Sequence, residues 1–331
     1  MKAYIIRRLL LMIPSFLGIS VVTFLLIQSV PGSPVYMRLR GAEGQMRGGE
    51  ATAEIIRQTK ELYGLDKPIP VQYALWLGKL FTFDFGKSYK DGRPVLEKIA
   101  EALPVTLQLS IISIFLTYLI AIPIGVYSAT NRGSWLDSFI TLILFILYSL
   151  PSFWVAMLLM MFLGGGTWWD VFPVAGLNSL GAENYTWGAW LWDRVWHLVL
   201  PVFCFTYAGI AGLSRYMRSG LLEVVRQDYV RTARAYGFSN KIVTFKYAMR
   251  NALIPMITLL AGLLPALIGG SVIIESIFSL PGMGRLMFEA MVSRDYPLIM
   301  GELVITALMT MFGLLLSDIT YALVDPRIKL D

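Results

Sequence analysis

Side chains able to do covalent chemistry are few in this 331-residue chain, and their spacing disqualifies most of them. His197 is the single histidine, so a helix-borne pair of zinc-binding histidines cannot form, and an interfacial packing role is the simpler reading. Cys204 is the single cysteine, which excludes an intrachain disulfide and a cysteine metal cluster. No Gly-x-Ser-x-Gly nucleophile turn occurs. Gly86-Lys87-Ser88 matches the end of a phosphate-binding loop, but that loop needs a glycine where this chain has Phe81. Three carboxylates, Glu275, Glu302 and Asp318, fall in or beside apolar stretches, where an ionised group costs about 2.5 to 3.5 kcal/mol at a helix centre. Glu275 is therefore a candidate for a pathway or outer gate, with a structural hydrogen bond as the alternative. Asp318 reads as a tie between the last helix and its neighbours, and no proton relay is evident.

The stretches that must position these residues are built for lipid. Hydrophobic residues make up 56% of the chain and charged ones only 15%, against about a quarter charged in a soluble domain. A bilayer core of about 30 Å needs roughly 20 apolar residues per helical crossing. Six stretches meet this: Leu9 to Val30, Leu103 to Tyr127, Ser138 to Leu163, Leu198 to Met217, Leu253 to Phe278 and Leu298 to Val324. The fold class expected is all-α, with six transmembrane helices and both termini on one side. The first run follows Lys2, Arg7 and Arg8 but is too long for a signal core and lacks a small-residue cleavage pattern, so it is read as a retained anchor.

Orientation follows from Lys and Arg in the short loops. Arg132, Arg327, Lys329 and a cluster running from Arg215 to Arg250 share the side of Lys2, Arg7 and Arg8, while the opposite short loops hold Arg194, Arg285 and Arg294. Both termini are expected in the cytoplasm. The net charge of +6 thus sits beside apolar runs and forms no nucleic-acid-binding domain. Trp168, Trp169, Trp187, Trp190, Trp192 and Trp196 crowd one outer loop, at headgroup level or as loop packing. The chain divides into 1–30 (N-terminus and first helix), an extracytoplasmic segment 31–102 with a helix at Glu54 to Leu62, and a transmembrane core 103–331 whose cytoplasmic loop spans about 218–252.

That loop is the most informative segment. In Asp228-Tyr-Val-Arg-Thr-Ala-Arg-Ala-Tyr-Gly237, residues Tyr229, Ala233 and Tyr236 recur at helical spacing and predict one face of small and aromatic groups, with Arg231 and Arg234 elsewhere. Gly237 can stop this helix in the left-handed conformation, and Ser239 can cap the next. The expected result is two helices at a sharp bend, suited to a groove on another protein. A solvated basic loop touching anionic lipid is the plainer alternative.

Tyr229-Val-Arg-Thr-Ala-Arg-Ala-Tyr-Gly237 and Ala248-Met-Arg-Asn-Ala-Leu-Ile-Pro255 closely resemble the coupling loop of dipeptide and oligopeptide permeases in binding-protein-dependent ABC importers. The resemblance extends through Pro31-Gly-Ser-Pro34, Tyr63 to Tyr73, Ile274 to Gly284 and Asp325-Pro-Arg327, nearly the whole chain, and is nearest to the B-type subunit. Against the general Glu-Ala-Ala motif of ABC permeases, aligned on Gly237, only Ala233 and Gly237 match; Arg231 stands where that motif has Glu.

The resemblance implies a type I ABC importer permease fold and an assembly of a second related permease, two ABC ATPase subunits and an extracytoplasmic solute-binding protein, in a prokaryotic inner membrane. It implies that Arg231, Thr232, Ala233, Arg234, Ala235, Tyr236 and Gly237 dock into an ATPase cleft, and that ATP and Mg are bound by those partners and by no site on this chain. Peptides are the implied cargo, with oligosaccharide, nickel complex or glutathione as alternatives. From the residues alone, an ion-coupled secondary transporter would show paired charges beside broken helices at mid-membrane, and no such pair stands out.

Overall fold

In lipid an apolar segment can satisfy its backbone amides only by hydrogen bonding to itself, so runs of this length become helices. The computed structural model describes residues 2–29, 67–165, 168–263 and 266–324, and among these it is helical with no extended sheet. The elements are α1 (Lys2–Ser29), α2 (Ile69–Phe81), α3 (Val95–Thr130), α4 (Trp135–Ser149), α5 (Ser152–Leu163), α6 (Trp187–Val224) and α7 (Asp228–Ala235). A stretch at 240–252, here α8, is α-helical at Asn240–Ile242 and Met249–Ala252 and π-helical over Val243–Ala248. There follow α9 (Ile254–Leu263), α10 (Ala266–Gly269), α11 (Val272–Ile277), α12 (Met283–Ser293) and α13 (Tyr296–Val324).

Four of the six expected spans are unbroken helices long and apolar enough to cross a membrane, within α1, α3, α6 and α13. The other two are broken, for identifiable reasons. The stretch from Ser138 to Leu163 becomes α4 and α5, bent by 101°. Pro151 removes a backbone donor and forces the residue before it out of the helical region; Leu150 is extended, at φ −87 and ψ 129. The break is stabilised from across the bundle, where the buried Tyr207 hydroxyl donates to the Leu150 carbonyl oxygen at 2.8 Å. The stretch from Leu253 to Phe278 is interrupted after Gly269, where Gly270 takes φ +58 between α10 and α11.

The bundle is organised around α3 and α6. Glycine lets their backbones approach closely: a Cβ on Gly125 would lie 2.5 Å from Met217 Cβ and 2.7 Å from the Ser214 carbonyl oxygen. Gly209 lies against Thr117 in the same way, at 3.1 Å. Both contacts are within this chain. The first and last helices are joined by Arg8 Nη2 and Asp318 Oδ2 at 2.7 Å, the tie expected of Asp318.

The helix that holds the second expected span starts at Val95, eight residues before Leu103. Pro94 sits at its N-cap, a position that tolerates a missing backbone donor. Before it, α2 lies along the C-terminal half of α1: Phe24 meets the rings of Tyr73 and Trp76 at 5.5 and 5.7 Å, and the Ser20 and Tyr73 hydroxyls bond at 2.8 Å. The turn at 82–94 is held to the start of α13. The Ser88 hydroxyl and the Tyr89 N–H (3.0 Å) both donate to the fully buried Asp295 carboxylate, so Ser88 serves as a tether. The helix expected at Glu54 to Leu62, and the motifs at Pro31 to Pro34 and Asp325 to Arg327, lie outside the described residues.

The tryptophan loop divides along the two readings. Trp168, Trp169, Trp187 and Trp192 are exposed, whereas Trp196 donates from Nε1 to the Val171 carbonyl oxygen at 2.9 Å and lies 4.5 Å from the Phe172 ring. His197 is buried beneath them, its Nδ1 donating to the Asp193 carbonyl oxygen at 2.8 Å.

Candidate functional site

An eight-residue helix is too short to hold itself together in water, so α7 must be stabilised by what it packs on. Its buried residues are Val230 and Ala233, at i and i+3, exposed by 0% and 4%. They sit in a core with Val243, Ala248, Ala252 and Met256 from α8 and α9, Leu213, Met217 and Leu221 from α6, and Ala121 and Val126 from α3. Burying Val230 alone contributes about 1.5 kcal/mol or more. The face expected from Tyr229, Ala233 and Tyr236 is corrected by this packing: Ala233 points inward with Val230, while Tyr236 is 79% exposed just past the helix end. The Tyr229 hydroxyl accepts from Asn251 Nδ2 at 2.7 Å, which pins α7 to α8.

The bend itself is as expected. The Tyr236 and Gly237 N–H groups donate to the Thr232 and Arg234 carbonyl oxygens, and Gly237 takes φ +78. Ser239 occupies the N-cap of the next turn but makes no side-chain capping bond. Arg231, Thr232, Arg234, Ala235, Tyr236 and Gly237 are all exposed. Arg231 is 3.5 Å from Asp228, a surface pair that adds little. Beyond Gly237 the exposed surface continues through Phe238, Ile242 and Phe245, with Lys241 and Lys246 around a shallow depression of about 640 Å³. The helix thus presents basic and aromatic side chains outward, while its inner face is wedged into the joint between α3, α6 and α9. The inner face of α7 is thereby packed against side chains of α3, α6 and α9, and such interiors are close-packed and stiff.

Glu275 lies elsewhere, in α11, and is completely buried. Its Oε1 accepts from Thr106 Oγ1 (3.0 Å) and Ser271 N (3.3 Å), and its Oε2 accepts from Arg285 N (3.0 Å). The last of these is an otherwise orphaned N–H in the first turn of α12, whose N-cap, Gly282, has no side chain to offer. Glu275 therefore caps α12 from another helix and meets its positive dipole end. Three glycines make room: a Cβ on Gly270, Gly282 or Gly284 would come within 2.3, 2.5 and 3.1 Å of its oxygens. Glu302, in α13, is 3% exposed, and its Oε2 has no hydrogen-bond partner among the described residues. No group of three or more His, Cys, Asp or Glu side chains suited to a metal occurs among the described residues.

Sequence reasoning located α7 and Glu275 and passed over Val230, Asn251 and the Phe238 to Phe245 surface. The Val230 to Ala233 spacing was a readable signal. Asn251 was not, since its partner lies 22 residues away.

Two family patterns match the chain. "Binding-protein-dependent transport system inner membrane component" covers residues 121–330, and the corresponding N-terminal pattern covers 1–110. The chain belongs to this family. Similar proteins include the oligopeptide transport system permease AppB of Bacillus subtilis, 43% identical over 99% of this chain and 100% of that protein. The inner membrane ABC transporter permease YejB of Escherichia coli O157:H7 is 37% identical over the full length of both. The dipeptide transport system permease DppB of Alkalihalophilus pseudofirmus is 34% identical over 99% of this chain and 100% of its own. Among solved structures, a methionine ABC transporter MetNI in an inward-facing form matches with TM-score 0.50 at 17% identity, covering 70% of this chain and 97% of that one. At that identity the match speaks for the fold: this inner membrane component shares its helical architecture with an ABC transporter. Both α7 and Glu275 fall within the matched core, 121–330.

Proposed function

We propose that this inner membrane component is a permease subunit of an ATP-driven importer, forming with a second, related permease the passage for di- or oligopeptides delivered by an extracytoplasmic binding protein. Peptide cargo is supported by what the relatives are named for. The observation that carries the mechanism is the two-sided character of α7. Its outer side is exposed and basic, and its inner side is packed into the bundle through Val230 and Ala233.

In this reading Arg231 to Gly237 dock in a cleft of a cytoplasmic ATPase, one ATPase serving each permease, and ATP with Mg is bound there. Both termini then lie in the cytoplasm, in keeping with the Lys and Arg bias of the short loops. Closure of the two ATPases on ATP moves the paired α7 helices, and the packed joint passes that displacement to α3, α6 and α9; hydrolysis resets it. The share of Glu275 is positioning. By fixing the start of α12 to α11 and to Thr106 on α3, it holds the outer end of the passage in register.

Removing residues 232–237 from the assembled transporter is the direct test. ATPase copurification and ATP-dependent peptide uptake should be lost, while membrane insertion is retained. Retained ATPase binding would refute the docking role, and uptake driven by an ion gradient without ATP would refute the importer class.

A further inference from the structure

Beside the joint that α7 enters, a second feature serves no evident purpose in force transmission. A cavity of about 410 Å³ opens between α3, α4 and α6, at the end of α6 that leads into α7, lined by Ser128, Arg132, Thr141, Ser214, Arg215 and Arg218. An adjoining depression of about 530 Å³ runs on along α4 past Leu142 and Phe145.

Among the described residues, the one carboxylate lining either space is Asp137. Its Oδ2 is occupied by Arg218 Nη2 at 2.8 Å and Gly133 N at 3.0 Å. Three guanidinium groups less one carboxylate leave two positive charges uncompensated. Arg215 lies over the rings of Phe145 and Tyr148, at 5.8 and 5.4 Å, a cation–π arrangement that orients it toward α4. Arg132 is exposed and has no carboxylate partner among the described residues. The hydroxyl-bearing Ser128 and Ser214 are buried in the wall.

The apolar side of α4 continues directly from this cationic corner. Trp135, stacked on Phe139, together with Leu142, Phe145 and Ile146, is exposed. Because α4 belongs to a candidate span, lipid hydrocarbon runs along that strip directly beside the arginines. A molecule with an anionic phosphate at one end and hydrocarbon at the other fits both parts. We propose that this corner binds an anionic phospholipid, its phosphate among Arg132, Arg215 and Arg218 and its acyl chains along α4.

The test uses the intact transporter in nanodiscs of phosphatidylethanolamine with or without phosphatidylglycerol, with retained lipid counted by native mass spectrometry. The native protein should retain phosphatidylglycerol in preference to phosphatidylethanolamine. The Arg132→Gln/Arg215→Gln variant should bind it roughly thirtyfold more weakly, on the scale of one juxtamembrane basic residue each. The Arg132→Lys/Arg215→Lys variant should keep most of the binding. If the double glutamine variant does not assemble, Arg132→Gln alone, on an exposed turn, should still give roughly a fivefold loss. Equal retention of the two lipids overturns the proposal, as does unchanged retention in the variants. Displacement of the lipid by inorganic phosphate at low concentration would identify free phosphate as the ligand and overturn it as well.

Discussion

Replacing Glu275 by glutamine changes one atom and should loosen the start of α12. Three donors converge on the carboxylate: the Thr106 hydroxyl, Ser271 N–H and Arg285 N–H. The Thr106 oxygen is itself an acceptor for Met283 N–H at 2.8 Å, so its own proton is directed to Glu275. Glutamine supplies one acceptor oxygen where two are needed. Whichever way the amide is turned, an NH2 group faces a donor, and at least one buried N–H or O–H loses its partner. That costs about 1 to 3 kcal/mol. Loss of the negative charge at a helix N-terminus adds about 0.3 to 2 kcal/mol. The sum, about 1.3 to 5 kcal/mol, corresponds to local opening about tenfold more frequent or greater, since 1.4 kcal/mol is a factor of ten.

Hydrogen exchange measured by mass spectrometry on the transporter in nanodiscs resolves this, because the affected amides lie in one short peptide covering Met283 to Met287. Exchange there should accelerate at least about tenfold, with little change in α7. Thr106→Val removes one of the three donors and the acceptor for Met283, and should show a smaller acceleration in the same peptide. Unchanged exchange in the glutamine variant would refute the capping role.

Gly237→Val forces a branched side chain into a left-handed conformation at φ +78, costing about 1 to 2 kcal/mol; peptide-stimulated ATP hydrolysis should fall although nothing crowds the missing Cβ. Tyr236→Ala, at a 79% exposed position, should leave thermal stability within about 0.5 kcal/mol and weaken ATPase copurification. Asp91, outside the spans, is desolvated by burial, but hydrogen bonds from Lys98, the Arg93 backbone and Ser88 outweigh this and hold its carboxyl below the usual range. A depressed carboxyl pKa stabilises the folded turn above about pH 3.9, and that contribution is lost as pH falls through the depressed value; Asp91→Asn should abolish this acid-sensitive step in tryptophan fluorescence. Val230→Ala should destabilise α7 by about 1.5 kcal/mol or more, seen as faster hydrogen exchange across Asp228–Ala235.

Much of the architecture was open to reading because membrane burial is a composition rule applied over twenty residues. Four spans follow from run length alone, since lipid leaves the backbone no alternative to the helix. The α7 bend was equally visible, as Gly237 terminates a helix by backbone sterics that need no partner. Family membership followed from motifs spread over the chain, which the matches at 1–110 and 121–330 bear out.

What local pattern could not supply was decided by contacts distant in sequence. Pro151 breaks its helix by local sterics, yet the carbonyl oxygen freed before it at the 101° bend is taken up by Tyr207, 57 residues away. The orientation of α7 was misjudged because helical spacing offers two plausible faces on so short an element. The choice went to Val230 and Ala233 because a hydrophobic joint of α3, α6, α8 and α9 was there to receive them. The cap on α12 could not be read at all, because its carboxylate and its helix are joined through a loop and its hydroxyl donor is 169 residues away. Apolar run length is a property of the chain, whereas the partner of a buried polar group exists only once the chain has folded.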